Sequence, residues 1–351
     1  MTISKCLVKI VNGGDLTEEE SYQSMMDIMK GWSTHAQSAS FLTALSIKGE
    51  TITEITGFVK AMRESSLKVR SKKKPLVDTC GTGGDTLKTF NVSTAAAIIA
   101  ASCGVTIAKH GNRSITSNCG GADILEAVGV NINCNHLKVE YCLENAGIGF
   151  MFSPVFHPAM KNVARVRNQL GIKTVFNILG PLTSPANANI QLLGVFDPDL
   201  VEPLAQVLNN LDVERAMVVH GYDSNGNPAM DEISTIGKTK VALLHEGIVD
   251  ILELHPEDFG IEKTEEKYIL APETLEENME IFRRVLQGKI DKPADKARLN
   301  LCLVNAAAIL YMANKSSGFE EGMEIARKSV ENGSALHKLE KFIKISTESN
   351  S

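Results

Sequence analysis

Apolar positions between residues 16 and 66 recur at helical spacing, and polar residues mark where each run begins and ends. Thr17 with Glu20 and Thr51 with Glu54 are capping-box pairs, and Gly31 and Gly49 follow helix-like stretches. A small all-helical lobe is expected. At Pro75 the pattern changes into short apolar segments that alternate with glycine-rich turns and helices, the rhythm of a layered βα-type domain. Strands are expected at residues 76–79, 105–108, 148–152, 192–196 and 216–220; the helical segments between several of them imply a largely parallel sheet. Residues 157–170, ended by Gly171, read as one helix, and residues 300–314 as another, apolar on almost every face and hence buried. Residues 240–245 and 248–254 read as a β pair. The fold class is therefore α/β: a small all-helical N-terminal domain and a larger α/β domain with a mainly parallel central sheet flanked by helices.

Composition narrows the setting. A chain of 351 residues exceeds one minimal core and favours two lobes. Its 43% apolar and 22% charged residues are ordinary for soluble globular proteins, with no apolar run long enough to span a bilayer. The N-terminal segment lacks the features of a secretory signal, so a cytoplasmic location is expected. Seven scattered cysteines, odd in number and without a CxxC pair, argue for reduced thiols over a disulfide framework or a zinc site. The net charge of −6 provides no global field for nucleic acid or an anionic membrane, so a polyanionic ligand needs a local site. Arg70, Lys72, Lys73 and Lys74, just before Pro75, read as a solvated linker.

Three stretches carry candidate chemistry. The first is DTCGTGGDTLKTFNVSTAAA from Asp78, with Gly81, Gly83 and Gly84 between a strand and a helix that begins near Asn91. Glycines let backbone N–H groups close around an anion, and a helix N-terminus adds unpaired donors, so phosphate or pyrophosphate is a natural guest. The stretch is neither GxxxxGK[ST] nor a full GxGxxG. A plain turn, with Asn91, Ser93 and Thr94 as ordinary helix caps, fits equally well. The second stretch, KHGNRSITSN from Lys109, adds two permanent cations and several hydroxyls and amides suited to phosphate and ribose oxygens, and GGADILEAVG then opens another helix. The third is Met230, Asp231 and Glu232, whose adjacent carboxylates suit Mg²⁺ if substrate phosphates complete its shell, and read as a solvated turn otherwise.

Together with NVST from Asn91, HPAMKNVARVR from His157, FNILGPLTSPA from Phe176 and MDEIS from Met230, these motifs resemble, in order, the series found in anthranilate phosphoribosyltransferases. The resemblance runs from about residue 20 to residue 340. It implies a nucleoside phosphorylase-like fold, with a helical domain at residues 1–70 to which a helical segment at about 157–185 returns. It also implies an α/β domain at residues 75–351 that binds phosphoribosyl pyrophosphate (PRPP), and a homodimer formed through the helical domain. By the same resemblance PRPP is held by Gly81, Thr82, Gly83, Gly84, Asp85, Thr89, Asn91, Ser93, Thr94, Lys109, Ser117 and Gly121. Ser93, Asp231 and Glu232 hold Mg²⁺; Gly81, His110, Asn112, Pro181 and Arg167 surround anthranilate, with the Arg167 guanidinium facing its carboxylate. The implied reaction displaces pyrophosphate from ribose C1 by the anthranilate amine, with Arg167 and Asn112 positioning that amine and no residue assigned as acid or base; His110 lines the cleft.

One departure stands out. Where many relatives carry serines, this chain has Cys119, Gly120 and Gly121 before Ala122 and Asp123, leaving backbone N–H groups and Ser117 to serve there. Two other readings share features of the glycine loop. A pyrimidine nucleoside phosphorylase has the same implied fold, although KHGNR, HPAMK with Arg167, and the Asp231 and Glu232 pair suit a magnesium-bound PRPP and a carboxylated aromatic acceptor better than a neutral pyrimidine. A non-catalytic paralogue that binds nucleic acid needs a continuous basic surface, for which only residues 70–74 offer material.

Overall fold

The computed structural model describes residues 3–84, 86–114 and 119–348. Four helices open the chain: α1 (Ile3–Val11), α2 (Glu18–Met29), α3 (His35–Lys48) and α4 (Ile52–Glu64). Thr17 and Thr51 cap α2 and α4 through capping boxes with Glu20 and Glu54, as the sequence predicts, and Thr34 with Gln37 forms a third on α3. Helices α2 and α4 approach so closely at Gly57 that a Cβ there would stand 2.4 Å from the Glu18 carbonyl oxygen.

The chain then builds β1 (Leu76–Gly81), α5 (Val92–Ser102), β2 (Thr106–Gly111), α6 (Gly121–Ala127), α7 (His136–Asn145) and β3 (Ile148–Phe152). Three short helices follow, α8 (Ser153–Phe156), α9 (Lys161–Leu170) and α10 (Phe176–Leu182). The remaining elements are β4 (Ile190–Gly194), α11 (Val201–Asn210), β5 (Arg215–Tyr222), β6 (Pro228–Met230), β7 (Thr239–His245), β8 (Ile248–Leu254), α12 (Leu275–Leu286), α13 (Pro293–Met312), α14 (Phe319–Glu331) and α15 (Ser334–Thr347). The sheet runs β3-β2-β1-β4-β5-β7-β8, with β6 paired to β5. The first five strands are parallel, and β6, β7 and β8 are antiparallel additions. The chain moves outward from β1 through β2 to β3, then returns to the other side of β1 with β4, which creates a topological switch at the C-terminal ends of β1 and β4.

Two apolar clusters hold the layers. One packs α5, α12, α13, α14 and α15 with one side of the sheet; α5 and the middle of α13 are buried on every face. The other joins α1 to α4 with α9, α10 and α11 and with Leu193, Val195, Ala216, Val218, Ala242 and Leu244 from the opposite side of the sheet. The linker before β1 is tethered to α7: the Arg70 N–H donates to Glu140 and the Lys72 N–H to Glu144.

Two expectations need correction. Residues 157–170 are not one helix: a 3₁₀ turn, Pro158–Met160, precedes α9, and His157 stands outside with φ −119° and ψ 62°. Proline at 158 disfavours helical backbone in the residue before it, while Gly171 does end α9 in a left-handed cap with φ 63°. The apolar helix begins at Pro293 rather than residue 300, because its first two turns are polar and Pro293 occupies the first helical position.

Gly57→Ala should lower stability by about 1–3 kcal/mol through overpacking of α2 against α4. Denaturant unfolding monitored by circular dichroism measures it, and an unchanged midpoint would mean that the two helices separate freely.

Candidate active site

A cavity of about 700 Å³ lies at the C-terminal ends of β1, β2 and β4, and α9, α10 and Met62 of α4 close its far side. Its shape begins with the strand ends. A Cβ on Gly81 would stand 2.2 Å from Asp231 Oδ2, and one on Gly194 would stand 1.5 Å from the Asp231 carbonyl oxygen. Only glycine at both positions admits the Asp231 loop. The Gly83 N–H donates to Asp231 Oδ2 at 2.8 Å, and the Thr82 hydroxyl accepts the Phe196 N–H at 2.9 Å, so β4 and the acidic loop fix the glycine turn between them. From behind, the Asn305 side chain of α13 accepts the Ile233 N–H at 3.1 Å and anchors the loop to the core.

Glu232 lies beside the Thr89 hydroxyl, which donates to its carboxylate at 3.3 Å. Burial raises the pKa of Asp231, a cost that a nearby cation would remove. Among the described residues no group of three acidic, histidine or cysteine side chains gathers into a metal cage. Two hard carboxylates without a third ligand fit Mg²⁺, which completes its shell with phosphate oxygens and water.

The cationic side of the cavity is built across a slit in the sheet. Pairing between β1 and β2 stops after Val77 and Ile107, although β1 stays paired with β4 to Gly81 and β2 with β3 to Gly111. Lys109 spans the slit: its buried ammonium donates to the Thr79 carbonyl at 2.5 Å and to the Ser93 hydroxyl at 3.3 Å. Burial lowers its pKa, and Cys80 and Asp78 oppose that shift. Asn91 does not cap α5 with its side chain; its amide donates to the Cys119 carbonyl at 3.0 Å, and the Cys119 thiol donates back to Asn91 Oδ1 at 3.1 Å. Cys119 thus serves as a structural clasp, with its thiol pKa pushed up to about 12 by burial.

Also lining the cavity, the Arg167 guanidinium lies over the Phe176 ring, 5.1 Å from its centroid, and burial lowers its pKa. Arginine remains charged despite such a shift. His110 and His157 form a second wall, with ring centroids 5.0 Å apart; His110 Nε2 lies 3.0 Å from the Ser153 hydroxyl. Burial holds His110 near a pKa of about 3 and His157 near about 4, so both rings are neutral.

Of the residues expected from sequence, Gly81, Thr82, Gly83, Gly84, Thr89, Asn91, Ser93, Lys109, Gly121, His110, Asn112, Arg167, Pro181, Asp231 and Glu232 line this one cavity. Thr94 lies behind the wall, fully buried, with its hydroxyl 3.3 Å from where a Cβ on Gly121 would be. Asp85 and Ser117 fall outside the described residues. The cavity also takes in Lys88 of the glycine stretch, Lys161 of the HPAMK run, and Met62, Lys173 and Phe196, which carried no motif signal. Lys173 sits 4.2 Å over the Phe196 ring, a cation–π pairing between segments far apart in sequence.

The glycosyl transferase family α/β-domain model matches residues 73–336, and that family's helical-bundle-domain model matches residues 4–66. Anthranilate phosphoribosyltransferase of Methanothermobacter thermautotrophicus is 52% identical over 344 residues, 98% of each chain. The chain belongs to the anthranilate phosphoribosyltransferase family. The Methanosphaera stadtmanae member is 48% identical across 99% of this chain and 100% of that one. Among solved members of the family, the Thermus thermophilus enzyme superposes with a TM-score of 0.89 at 38% identity, covering 97% of this chain and 99% of that one. The Saccharomyces cerevisiae enzyme, in complex with PRPP and Mg, gives 0.88 at 29% identity and 98% coverage of both chains. Family membership sets aside the phosphorylase and nucleic-acid readings.

The buried imidazoles predict a pH dependence. Their folded pKa values lie below the ordinary histidine value, so the unfolded chain binds more protons; their contribution is full above about pH 6.5 and is lost as pH falls towards 4 and 3. Asp78, raised to about 6 by burial, contributes the opposite slope. His110→Gln should therefore flatten the acid limb of stability between pH 6.5 and 4 by up to about 1.4 kcal/mol per pH unit. Urea unfolding across that range checks this, and an acid limb identical to wild type would contradict a buried neutral ring.

Proposed function

We propose that this cleft transfers the phosphoribosyl group of PRPP to the amino group of anthranilate, with release of pyrophosphate, as a step of tryptophan biosynthesis. The observation that carries the reading is that one cavity brings two sets of groups together: the glycine turn with Lys109, Asp231 and Glu232, and Arg167 on Phe176 with the neutral histidine pair.

Pyrophosphate of PRPP would lie along the backbone N–H groups of residues 81–84 and the N-terminus of α5, where unpaired donors favour an anion. The Lys109 ammonium, held by Thr79 and Ser93, adds a fixed positive charge that costs no reorganisation when the leaving group departs. Asp231 and Glu232, with the Ser93 hydroxyl, would hold Mg²⁺; when bound, it neutralises charge that develops on pyrophosphate. Anthranilate would enter between Arg167, Asn112, His110 and Pro181, its carboxylate paired with the guanidinium and its amine turned towards ribose C1. The neutral rings of His110 and His157 supply a dry surface for the aromatic acceptor and no competing cation. An aromatic amine attacks in its neutral form, so positioning and electrostatics carry the step without a strong base.

Residues 1–70, with the segment at 157–185 packed among them, form the closing lobe in this reading, and residues 75–351 form the PRPP-binding domain. The helical lobe also exposes Val8, Val11, Trp32 and Ile47, an apolar surface suited to a homodimer contact. Seven free cysteines are consistent with a reducing, cytoplasmic setting, and among the described residues no helix is long and apolar enough to cross a membrane.

Incubation with anthranilate, PRPP and Mg²⁺ should consume anthranilate fluorescence. No loss of fluorescence, with phosphorolysis of thymidine or uridine instead, would overturn the assignment. Arg167→Ala should raise the KM for anthranilate by about tenfold or more while leaving that for PRPP within about twofold, because one charge-assisted pair is lost from one substrate. Equal changes for both substrates would contradict the carboxylate clamp.

A further inference from the structure

The slit between β1 and β2 contains a buried carboxylate that the proposed reaction does not use. Asp78 is fully buried, and its Oδ1 accepts the backbone N–H of His110 at 3.0 Å across the gap. The neighbouring Ser184 hydroxyl and the Thr79 backbone N–H also favour its charged form, against the effect of burial. Two cations act on it, Lys109 from β2 and Arg63 from α4, and Arg63 Nε donates to the Leu182 carbonyl of α10 at 2.9 Å. Asp78 therefore stands where β1, β2 and the helical lobe come together beneath the cavity floor.

An ordinary parallel ladder would have joined β1 to β2 at this level. Here two side chains replace it: Asp78 reaches from β1 to the His110 backbone, and Lys109 reaches from β2 to the Thr79 carbonyl. The exchange holds the strands apart enough for the ammonium to lie between them. It also fixes the peptide from which both Lys109 and His110 project, so one contact governs two groups that line the cavity. A buried carboxylate costs stability, and an apolar residue at this position would leave the His110 N–H without its acceptor.

We infer that Asp78 is a positioning residue for this transferase, setting the placement of the Lys109 ammonium and the His110 ring through the slit between β1 and β2. It touches neither substrate. The inference rests on the proposed reaction, and the wild-type protein measured in parallel separates the two: an inactive wild type defeats the reaction, and an active wild type leaves only Asp78 in question.

Asp78→Asn keeps the shape and an acceptor oxygen for the His110 N–H but removes the charge beside Lys109. It should fold and lower kcat/KM for PRPP by about tenfold, the scale of a lost charge-assisted contact. In a Lys109→Met background the same change should cost less than about twofold, since the group it acts through is gone. Asp78→Ala, which also removes the acceptor, should lose more activity than Asp78→Asn, and Asp78→Glu should recover part of it. A folded Asp78→Asn protein within twofold of wild type would overturn the inference. So would an equal loss with and without Lys109, or an Asp78→Asn chain that does not fold, which would make the residue a determinant of folding alone.

Discussion

The active cleft depends on one steric fit: the Asp231 loop occupies the space that Cβ atoms of residues 81 and 194 would fill. Glycine at the ends of β1 and β4 lets an acidic loop from beyond β5 come over the sheet and meet the phosphate turn. Asp231 then receives the Gly83 N–H, and Asn305 of α13 holds Ile233, two residues further along the loop. A single close approach thus links the strand ends, the glycine turn and the Asp231 and Glu232 carboxylates, and the buried helix α13 gives it a rigid backing.

Charge is distributed on that frame by burial. Lys109 is held between strands where hydrogen bonds to Thr79 and Ser93 offset part of its desolvation, while Arg167 rests on an aromatic ring. The histidine pair carries no charge at neutral pH because burial opposes it. The cationic Lys109 and Arg167 and the neutral histidine pair therefore line the same cavity. The helical lobe contributes to the cavity wall through Met62 and through α9 and α10 packed against α2 to α4.

Much of this was legible in the chain. The capping boxes at Thr17 and Thr51, the change of rhythm at Pro75 and the apolar runs of β1 to β5 locate the elements, because each is a local signal of period or punctuation. The glycine turn, KHGNR and MDE identified the chemistry as a set although each was ambiguous alone. The structure removes the ambiguity for Asn91, which binds Cys119 instead of capping α5. Relations across the sheet were hidden. Nothing local marks Asp78 as the acceptor for His110, Gly194 as the partner of Asp231, or Lys173 as the neighbour of Phe196, since each pairing joins segments that only the strand order brings together. The overlong helix at 157–170 had a local cause, the restriction that Pro158 places on His157, which apolar periodicity does not register.

If the Asp231 fit governs the site, a methyl group at Gly81 should damage metal-assisted PRPP recognition without unfolding the protein. The direct measurement is calorimetric titration of PRPP into wild type and Gly81→Ala, each with and without Mg²⁺. The account predicts that Mg²⁺ strengthens PRPP binding to wild type by about tenfold or more, and that this gain is largely lost in a folded Gly81→Ala protein. PRPP affinity and a magnesium effect equal to those of wild type in the variant would contradict it.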